Sequence, residues 1–546
     1  MNKPLASHVL DTIYQSGVRE ICLCAGARSS PLVSLLSTDT RFRTFRFFEE
    51  RSASFFGSGR IKATSRPVAI VTTSGTAAGE LLPATMESYY SSLPLVLVTA
   101  DRPRRFRGTG APQTAEQVGL FGIYAEIDID IAEAERLDIS EWTVSRPLHI
   151  NVCFDEPLLG ADGEFESLPT IAASLSRQSE EAISQSLTEA RLQLSEFLKS
   201  SKSPIVIVGG LAPEERQPTL EFLIALGAPV LLESLSGLRE NPALEPLALH
   251  SGKDALVRKS ASGDSTVWMD GVLRIGSVPT LRLWRDLESS LQHLPLLSLS
   301  SQPFSGASRG TLVHAPLAPL LGTLAQETSS VHQTDRHSTL IVRDRALSAA
   351  LLNLLKFENR SEPGLIHRFS EALPIGSRLF LGNSLPIREW DLAATRSPRD
   401  FEIGASRGLN GIDGQLSTFL GFSREEKENW GLFGDLTAMY DMSAPWILRQ
   451  LPLVRAHIVV INNGGGKIFD RMFQDPAFQN PHDLTFEHLA QFWDLDYVRW
   501  EAIPAVLPTS SLSRGRSFVE IVPDDAATHR FWQAYDGLAA SFEAAK

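Results

Sequence analysis

Short apolar runs recur along the chain, each stopping at a small or oxygen-bearing residue and giving way to a stretch with helical periodicity. "REICLCAGARSSPLVSLL" passes from such a run through Gly26 into a helical stretch. "PVAIVTTSGTAAGELLPATMESYY" repeats the move, and "LPLVLVTADRP" ends a third run at Asp101. "RPLHINVCFDEPL" reads as a further buried strand. Continuous apolar runs bounded by turn residues and alternating with helices predict parallel sheets covered on both faces. After a polar helical stretch, "SRQSEEAISQSLTEARLQLSEFLKSSKSP", the pattern resumes in "IVIVGGLAPEERQPTLEFLIALGAPVLLES". It resumes again, beyond a Ser/His/Thr-rich passage around "QETSSVHQTDRHSTL", in "SRLFLGNSLPIREW", "NWGLFGDLTAMYDM", "RAHIVVINNGGGKIFD" and "SFVEIVPDDAATHRFW". The expectation is three doubly wound α/β domains, 1–180, 181–335 and 336–546, with no repeat between them in sequence.

Composition narrows the partners without changing this picture. A net charge of −13 over 546 residues offers no basic face for nucleic-acid phosphates. Cys22, Cys24 and Cys153 are too few for a disulfide framework and lack the partners of a zinc site, which fits a reducing compartment. No apolar run reaches the roughly eighteen residues of a membrane span, and "MNKPLASHVLDTIYQ" lacks the apolar stretch of a signal peptide. A cytoplasmic enzyme of small molecules is expected.

In open α/β sheets ligands collect at the carboxyl ends of the strands, and the chemically interesting residues fall there in the first and third blocks. Asp435 ends the run in "GLFGDLTAMY", and Asn462-Asn463 end the run in "IVVINNGGGKIFD", 27 residues later, a gap that fits one intervening helix. A carboxylate, an amide oxygen and a free carbonyl in a glycine loop make a hard oxygen set suited to Mg²⁺, with Mn²⁺ as a substitute. Gly464 to Gly466 would let the backbone approach phosphates closely at a helix start. Taken singly, Asp435 is as well read as a helix cap and the Asn-Gly run as a turn; the paired spacing is what favours a diphosphate–metal site.

Gly-Asp followed at this distance by Asn-Asn resembles the Gly-Asp-Gly…Asn-Asn signature of thiamine diphosphate enzymes, with Leu436 in the third place. "GDL…NNGGGKIF" is most similar to the 2-succinyl-5-enolpyruvyl-6-hydroxy-3-cyclohexene-1-carboxylate synthase family of menaquinone and phylloquinone biosynthesis. "CAGARSSPL", "FFEERSASFFGSG", "TADRP", "HINVCFDEPL", "FLGNSLPIREWD" and "SRGLNGIDGQLSTFLG" resemble that family's segments in the same order. The resemblance covers nearly the whole chain and is thin from about 165 to 335, apart from "LLESLSGLRE" and "LRIGSVPTLRLW". It implies pyrimidine-binding, central and diphosphate-binding domains in that order, and a transferase that decarboxylates 2-oxoglutarate and adds the remainder to isochorismate.

Thiamine diphosphate needs an anchor for its diphosphate, a bent conformation and a proton relay at its aminopyrimidine. By resemblance Asp435, Asn463 and the Gly465 carbonyl bind the metal, and Ile412 of "GIDG" is the apolar wedge under the bent cofactor. Ser384 and Ile468 join the cofactor contacts. Glu50 is the acid at the pyrimidine ring, preceded by Glu49; read without the family, such an acidic pair before an Arg would be a solvated turn. The substrates' carboxylates call for arginines, and the family-matched set is Arg28, Arg102, Arg282, Arg388 and Arg407, with Gln113, Asn383 and Phe469 beside them. The chain departs from the family at Ala25, Ala27, Glu80 (where Asn is common) and Leu281 (where Lys is frequent), departures that bear on the substrate contacts more than on the cofactor site.

Three other readings were open to the sequence. "GASRG" at Gly404–Gly408 fits the Gly-x-Ser-x-Gly of hydrolases, but a loop-like "RGLNGIDG" follows where an elbow needs a helix. An acetolactate synthase or 2-oxoacid decarboxylase type would share the cofactor motif. A cofactor-binding relative without catalysis would fit the altered "CAGARSS". In thiamine diphosphate enzymes the blocks that meet at a cofactor come from different subunits, so the resemblance also implies a homodimer or a dimer of dimers.

Overall fold

The structure is a computed structural model that describes residues 2–544 except 134, 160–179, 252–255, 260–264, 329–333, 474 and 508–514. The two expected domain boundaries lie beside undescribed stretches. Three six-stranded sheets carry the fold.

The first holds β1 (Glu20–Cys24), β2 (Arg43–Phe47), β3 (Val68–Thr72), β4 (Leu95–Asp101), β5 (Ile127–Ile131) and β6 (Leu148–Cys153), in the order β2-β1-β3-β4-β6-β5. The middle block holds β7 (Pro204–Val208), β8 (Val230–Leu232), β9 (Ala248–Leu249), a separate antiparallel pair β10 (Val257–Lys259) and β11 (Ser265–Val267), then β12 (Gly271–Ile275), β13 (Leu296–Ser300) and β14 (Thr311–His314). Its sheet order is β14-β13-β12-β7-β8-β9, the order of dinucleotide-binding folds. The third sheet holds β15 (Arg378–Leu381), β16 (Glu402–Gly404), β17 (Glu428–Gly434), β18 (Arg455–Ile461), β19 (Asp496–Trp500) and β20 (Arg516–Ile521), ordered β16-β15-β17-β18-β20-β19. Renumbered from its own start, this is the strand order of the first sheet, so the first and third blocks repeat one topology that their sequences do not show.

All pairings within the three sheets are parallel. The apolar runs are buried along their whole length: every residue of β3 and β4 is buried, as helices on both faces require. One apolar core joins the first and third blocks, with Phe45 and Phe56 packing among Phe380, Phe419, Phe422 and Phe433. The helix Asp335–Phe357, capped at Thr334, ties the middle block to the third: Leu340 and Leu347 enter the middle core, Leu351 and Leu355 the third.

A sheet of this order changes direction between its first and third strands, and ligands bind outside the carboxyl ends there. In the third block that point lies between β15 and β17, where Asn383, Ser384 and Asp435 emerge. In the first it lies between β1 and β3, beside Gly26 to Arg28 and Thr73 to Gly75.

Candidate active site

A cavity of about 300 Å³ opens at the third block's switch point. Asp435, Asn463, Gly465 and Ser384 line it, as do Ile412, Arg388, Ile468 and Phe469. Eight of the residues singled out from sequence therefore share one wall system.

The glycine run exists because Asp435 needs it. The carboxylate is buried just past β17, and its Oδ1 and Oδ2 accept from Leu436 N at 2.6 Å and Gly465 N at 2.9 Å. To donate there, the backbone turns through Gly464 at φ 79° and Gly465 at φ 138°, a region that side chains disfavour. A Cβ on Gly465 would also lie 2.5 Å from Gln479 O. Burial pushes the Asp435 carboxyl above its ordinary range, with the backbone donors pulling the other way.

Asn463 follows β18, and its amide is oriented by a buried acid: Nδ2 donates to Glu362 Oε2 at 2.9 Å. Its Oδ1 is left buried and without a partner among the described residues, which marks a site for a donor or a cation. Asn462, by contrast, spends its amide on Leu484 O and Glu520. No group of three His, Cys, Asp or Glu among the described residues could hold a metal ion. A cation here would rest on one carboxylate, one amide oxygen, a backbone carbonyl and external oxygens, the ligand set that Mg²⁺ takes from phosphates and water. The residues fit a magnesium diphosphate.

Ser384 sits before the helix Leu385–Ala393 at φ 71°, a conformation costly outside glycine, and Arg388 Nη1 donates to its carbonyl at 2.6 Å. In the loop that carries Ile412, Arg407 Nη1 donates to Asn383 Oδ1 at 2.5 Å, while its Nε and Nη2 are buried without partners among the described residues. Burial lowers the Arg407 pKa to about 10, so the group stays charged at neutral pH. Two free, buried guanidinium donors suit a carboxylate. Asn383 itself is buried with its amide turned to Ser406 O and Gly411 O, which makes it a support of the loop rather than part of the cavity wall. Arg282 is exposed, paired with Asp286 at 3.0 Å, and lines a second cavity of about 460 Å³ that shares Arg388 with the first.

The remaining candidates gather at the carboxyl edge of the first sheet. Arg28 is buried, donating to Phe154 O at 3.0 Å and paired with Glu156 at 3.2 Å. Arg102 Nε donates to Pro112 O at 3.0 Å, and Gln113 is exposed at φ 55°. Glu50 opens the helix Glu50–Thr64, which Glu49 caps through Arg51 N and Ser52 N. Burial first, then the charges of Glu49 and Glu80, push the Glu50 carboxyl above its ordinary range. Glu50 does not line the Asp435 cavity. One chain thus presents two half-sites, and the structure does not bring them together.

Three residues beside Asn463 and Asp435 escaped sequence reasoning. Glu362 reads as a first-turn acid after its Ser361 cap. Glu389, buried behind it, is pushed well above the carboxylate range by burial and then by Glu362. His482 Nε2 stands 3.2 Å from Asp435 Oδ2 but without hydrogen-bond geometry. Ser406, the would-be hydrolase nucleophile, has a buried Oγ with no partner among the described residues, so none of them acts as its base.

Residues 4–120 match the family model for the N-terminal TPP binding domain of thiamine pyrophosphate enzymes. The chain is 41% identical to the 2-succinyl-5-enolpyruvyl-6-hydroxy-3-cyclohexene-1-carboxylate synthase of Bdellovibrio bacteriovorus, over 98% of this chain and 99% of that protein. It is 37% identical to the synthase of the same name from Akkermansia muciniphila, over 97% and 98%. The one from Lysinibacillus sphaericus is 31% identical over 94% of each. An X-ray structure from Mycobacterium smegmatis, assigned to the thiamin diphosphate-dependent enzymes, superposes with a TM-score of 0.69 at 16% identity, over 95% of this chain and 99% of that one, and shares the fold. The chain belongs to the 2-succinyl-5-enolpyruvyl-6-hydroxy-3-cyclohexene-1-carboxylate synthase family of thiamine diphosphate enzymes.

Proposed function

We propose that this enzyme decarboxylates 2-oxoglutarate and joins the remaining four-carbon unit to isochorismate, giving 2-succinyl-5-enolpyruvyl-6-hydroxy-3-cyclohexene-1-carboxylate and CO2. The observation that carries the reading is the cavity where Asp435, the unpartnered Asn463 Oδ1 and the glycine loop converge, in a chain of this family. Thiamine diphosphate, when bound, supplies the nucleophilic carbon through which the C–C bond is broken and remade.

The chain's own residues do the rest. Asp435, Asn463 and the Gly465 carbonyl would hold Mg²⁺ and, through it, the diphosphate. Ile412, Ser384 and Ile468, which line the cavity, would hold the cofactor there. Glu50 holds a proton at the aminopyrimidine, and its burial, which raises the carboxyl pKa, favours the protonated form. Arg407, with two unspent donors, grips a substrate carboxylate, and Arg388, Arg28, Arg102, Arg282, Gln113 and Phe469 complete the substrate side. Because Glu50 lies outside the cavity of its own chain, a second copy supplies it, in a homodimer or a dimer of dimers. We assign residues 1–180 to the pyrimidine side, 181–335 to the central domain and 336–546 to the diphosphate side. Among the described residues no helix is long and apolar enough to cross a membrane, the three cysteines are buried and free, and we place the enzyme in the cytoplasm.

Mass spectrometry of products formed from 2-oxoglutarate and isochorismate, with thiamine diphosphate and Mg²⁺, tests the reading. The expected product is isochorismate enlarged by the four-carbon unit. Release of the free four-carbon semialdehyde alone would make the protein a 2-oxoacid decarboxylase instead.

A further inference from the structure

Glu87 belongs to the helix Leu82–Tyr90 of the first block, yet its carboxylate serves the third. The residue is buried at 5% exposure. Its Oε1 accepts from Gly408 N at 2.9 Å and its Oε2 from Leu409 N at 2.7 Å. Ser91 Oγ, one turn along its own helix, donates to Oε1 at 2.9 Å. Both carboxylate oxygens are thus committed to the loop between β16 and the helix Gln415–Phe422, which carries Arg407 and Ile412.

That loop is gripped from two sides. Asn383 donates to Ser406 O at 2.9 Å and Gly411 O at 2.7 Å from within the third block, and Glu87 takes the two N–H groups between them. The fit leaves no room for a side chain at the contact: a Cβ on Gly408 would lie 2.5 Å from Glu87 O. A buried carboxylate is unfavourable unless its oxygens are bonded, and here two of the three donors come from the loop. Arg407 is within electrostatic reach of Glu87, and the loop that Glu87 fastens also carries this cation, to which a substrate carboxylate is assigned above.

We infer that Glu87 is a positioning residue, which sets Arg407 from the first block and so registers the substrate side of one half-site against the other. The inference rests on the substrate role proposed for Arg407. It makes a carboxylate outside the cavity responsible for how well substrate is held.

The test is a double-mutant cycle on the full-length enzyme, with Glu87→Ala, Arg407→Ala and their combination, read as kcat, KM and thiamine diphosphate affinity. A misplacement of about 1 Å can cost about 10²-fold, and Glu87→Ala should lower kcat/KM by about that factor, mostly through KM for one carboxylate substrate. Glu87→Gln keeps one acceptor and should recover part of the loss. Cofactor affinity by calorimetry should stay near wild type, because Asp435 and Asn463 are held by other elements. In the Arg407→Ala background the added effect of Glu87→Ala should shrink to less than about two-fold. An equal loss in both backgrounds overturns the inference and leaves the role of Arg407 standing. Arg407→Ala with wild-type kinetics overturns both. Should Glu87→Ala fail to fold, Gly408→Ala takes its place in the same cycle.

Discussion

Gly59 and Gly421 meet backbone to backbone across the first and third blocks. A Cβ on Gly59 would lie 2.1 Å from Thr418 O, and one on Gly421 would lie 2.1 Å from Phe56 O. The helices Glu50–Thr64 and Gln415–Phe422 approach this closely only because both crossing residues lack side chains. Phe56 and Phe419 flank the crossing in one continuous apolar core. The contact fixes the helix that begins at Glu50 against the helix that follows the Ile412 loop, so the two half-sites of a chain keep a set separation.

Gly421→Ala should therefore destabilise the junction of the blocks. The obstructing atoms are backbone and cannot rotate away, which places the cost near the top of the usual overpacking range, about 3 kcal/mol. Gly322→Ala is the control: its Cβ would meet nothing within 4 Å, and a helical Gly→Ala stabilises by about 0.5–1 kcal/mol. Scanning calorimetry should show a lowered Tm for the first and an unchanged or raised Tm for the second. Equal Tm values for the two would mean that the crossing tolerates a methyl group.

Asp435→Ala should abolish cofactor binding while the fold survives. The side chain supplies the only carboxylate of the proposed metal set, and it also anchors Gly465 N at 2.9 Å. Loss of even an outer partner of a metal ligand costs about 10–100-fold in affinity, so loss of the ligand should exceed that. Titration calorimetry with thiamine diphosphate and Mg²⁺ measures it. Wild-type affinity in a folded Asp435→Ala protein would remove Asp435 from the site.

Much of this site was legible because strand ends advertise themselves. The runs that became β17 and β18 end abruptly at Asp435 and Asn462, and a spacing of one helix brings adjacent parallel strands side by side. Burial on both faces makes such runs continuous and easy to read. The shared strand order of the first and third sheets was not legible, since topology depends on where connections go and leaves residue identity free. Glu362 and His482 were hidden for a different reason. Each reaches Asn463 or Asp435 from a distant segment, and each looks locally ordinary, one as a first-turn acid and one as a loop histidine. Arg282 shows the converse, since a family-matched cation stands exposed on an i,i+4 pair with Asp286.

Glu80 gives the chain a titration property of its own. Burial comes first among the causes that raise the Glu50 pKa, and the charges of Glu49 and Glu80 add to it. Replacing Glu80 by Asn, the residue common in the family, removes one negative charge and eases ionisation of Glu50. The Glu50 pKa should fall, and the limb of the kcat/KM profile that Glu50 governs should move to lower pH. A pH–rate comparison of Glu80→Asn with wild type checks this. An unmoved or alkaline-shifted limb counts against the electrostatic link.

Assembly follows from where Glu50 stands. The acid opens a first-block helix locked to the third block of its own chain, yet it does not line the cavity that Asp435 and Asn463 build there. A two-fold pair of chains can close two such clefts at once, each pairing the Glu50 of one copy with the Asp435 of the other. Glu50→Gln keeps the shape and removes the acid, so it should cost about 10²–10⁴-fold in kcat. Asp435→Ala should be inactive for lack of cofactor. Mixed one to one under conditions of subunit exchange, half of the dimers pair the two variants. Each of these has one site with both lesions and one with neither, so about a quarter of wild-type activity should return if sites are shared between two chains. Native mass spectrometry establishes that exchange has occurred. No recovery after demonstrated exchange would mean that each chain completes its own site, and the shared-site reading would be wrong.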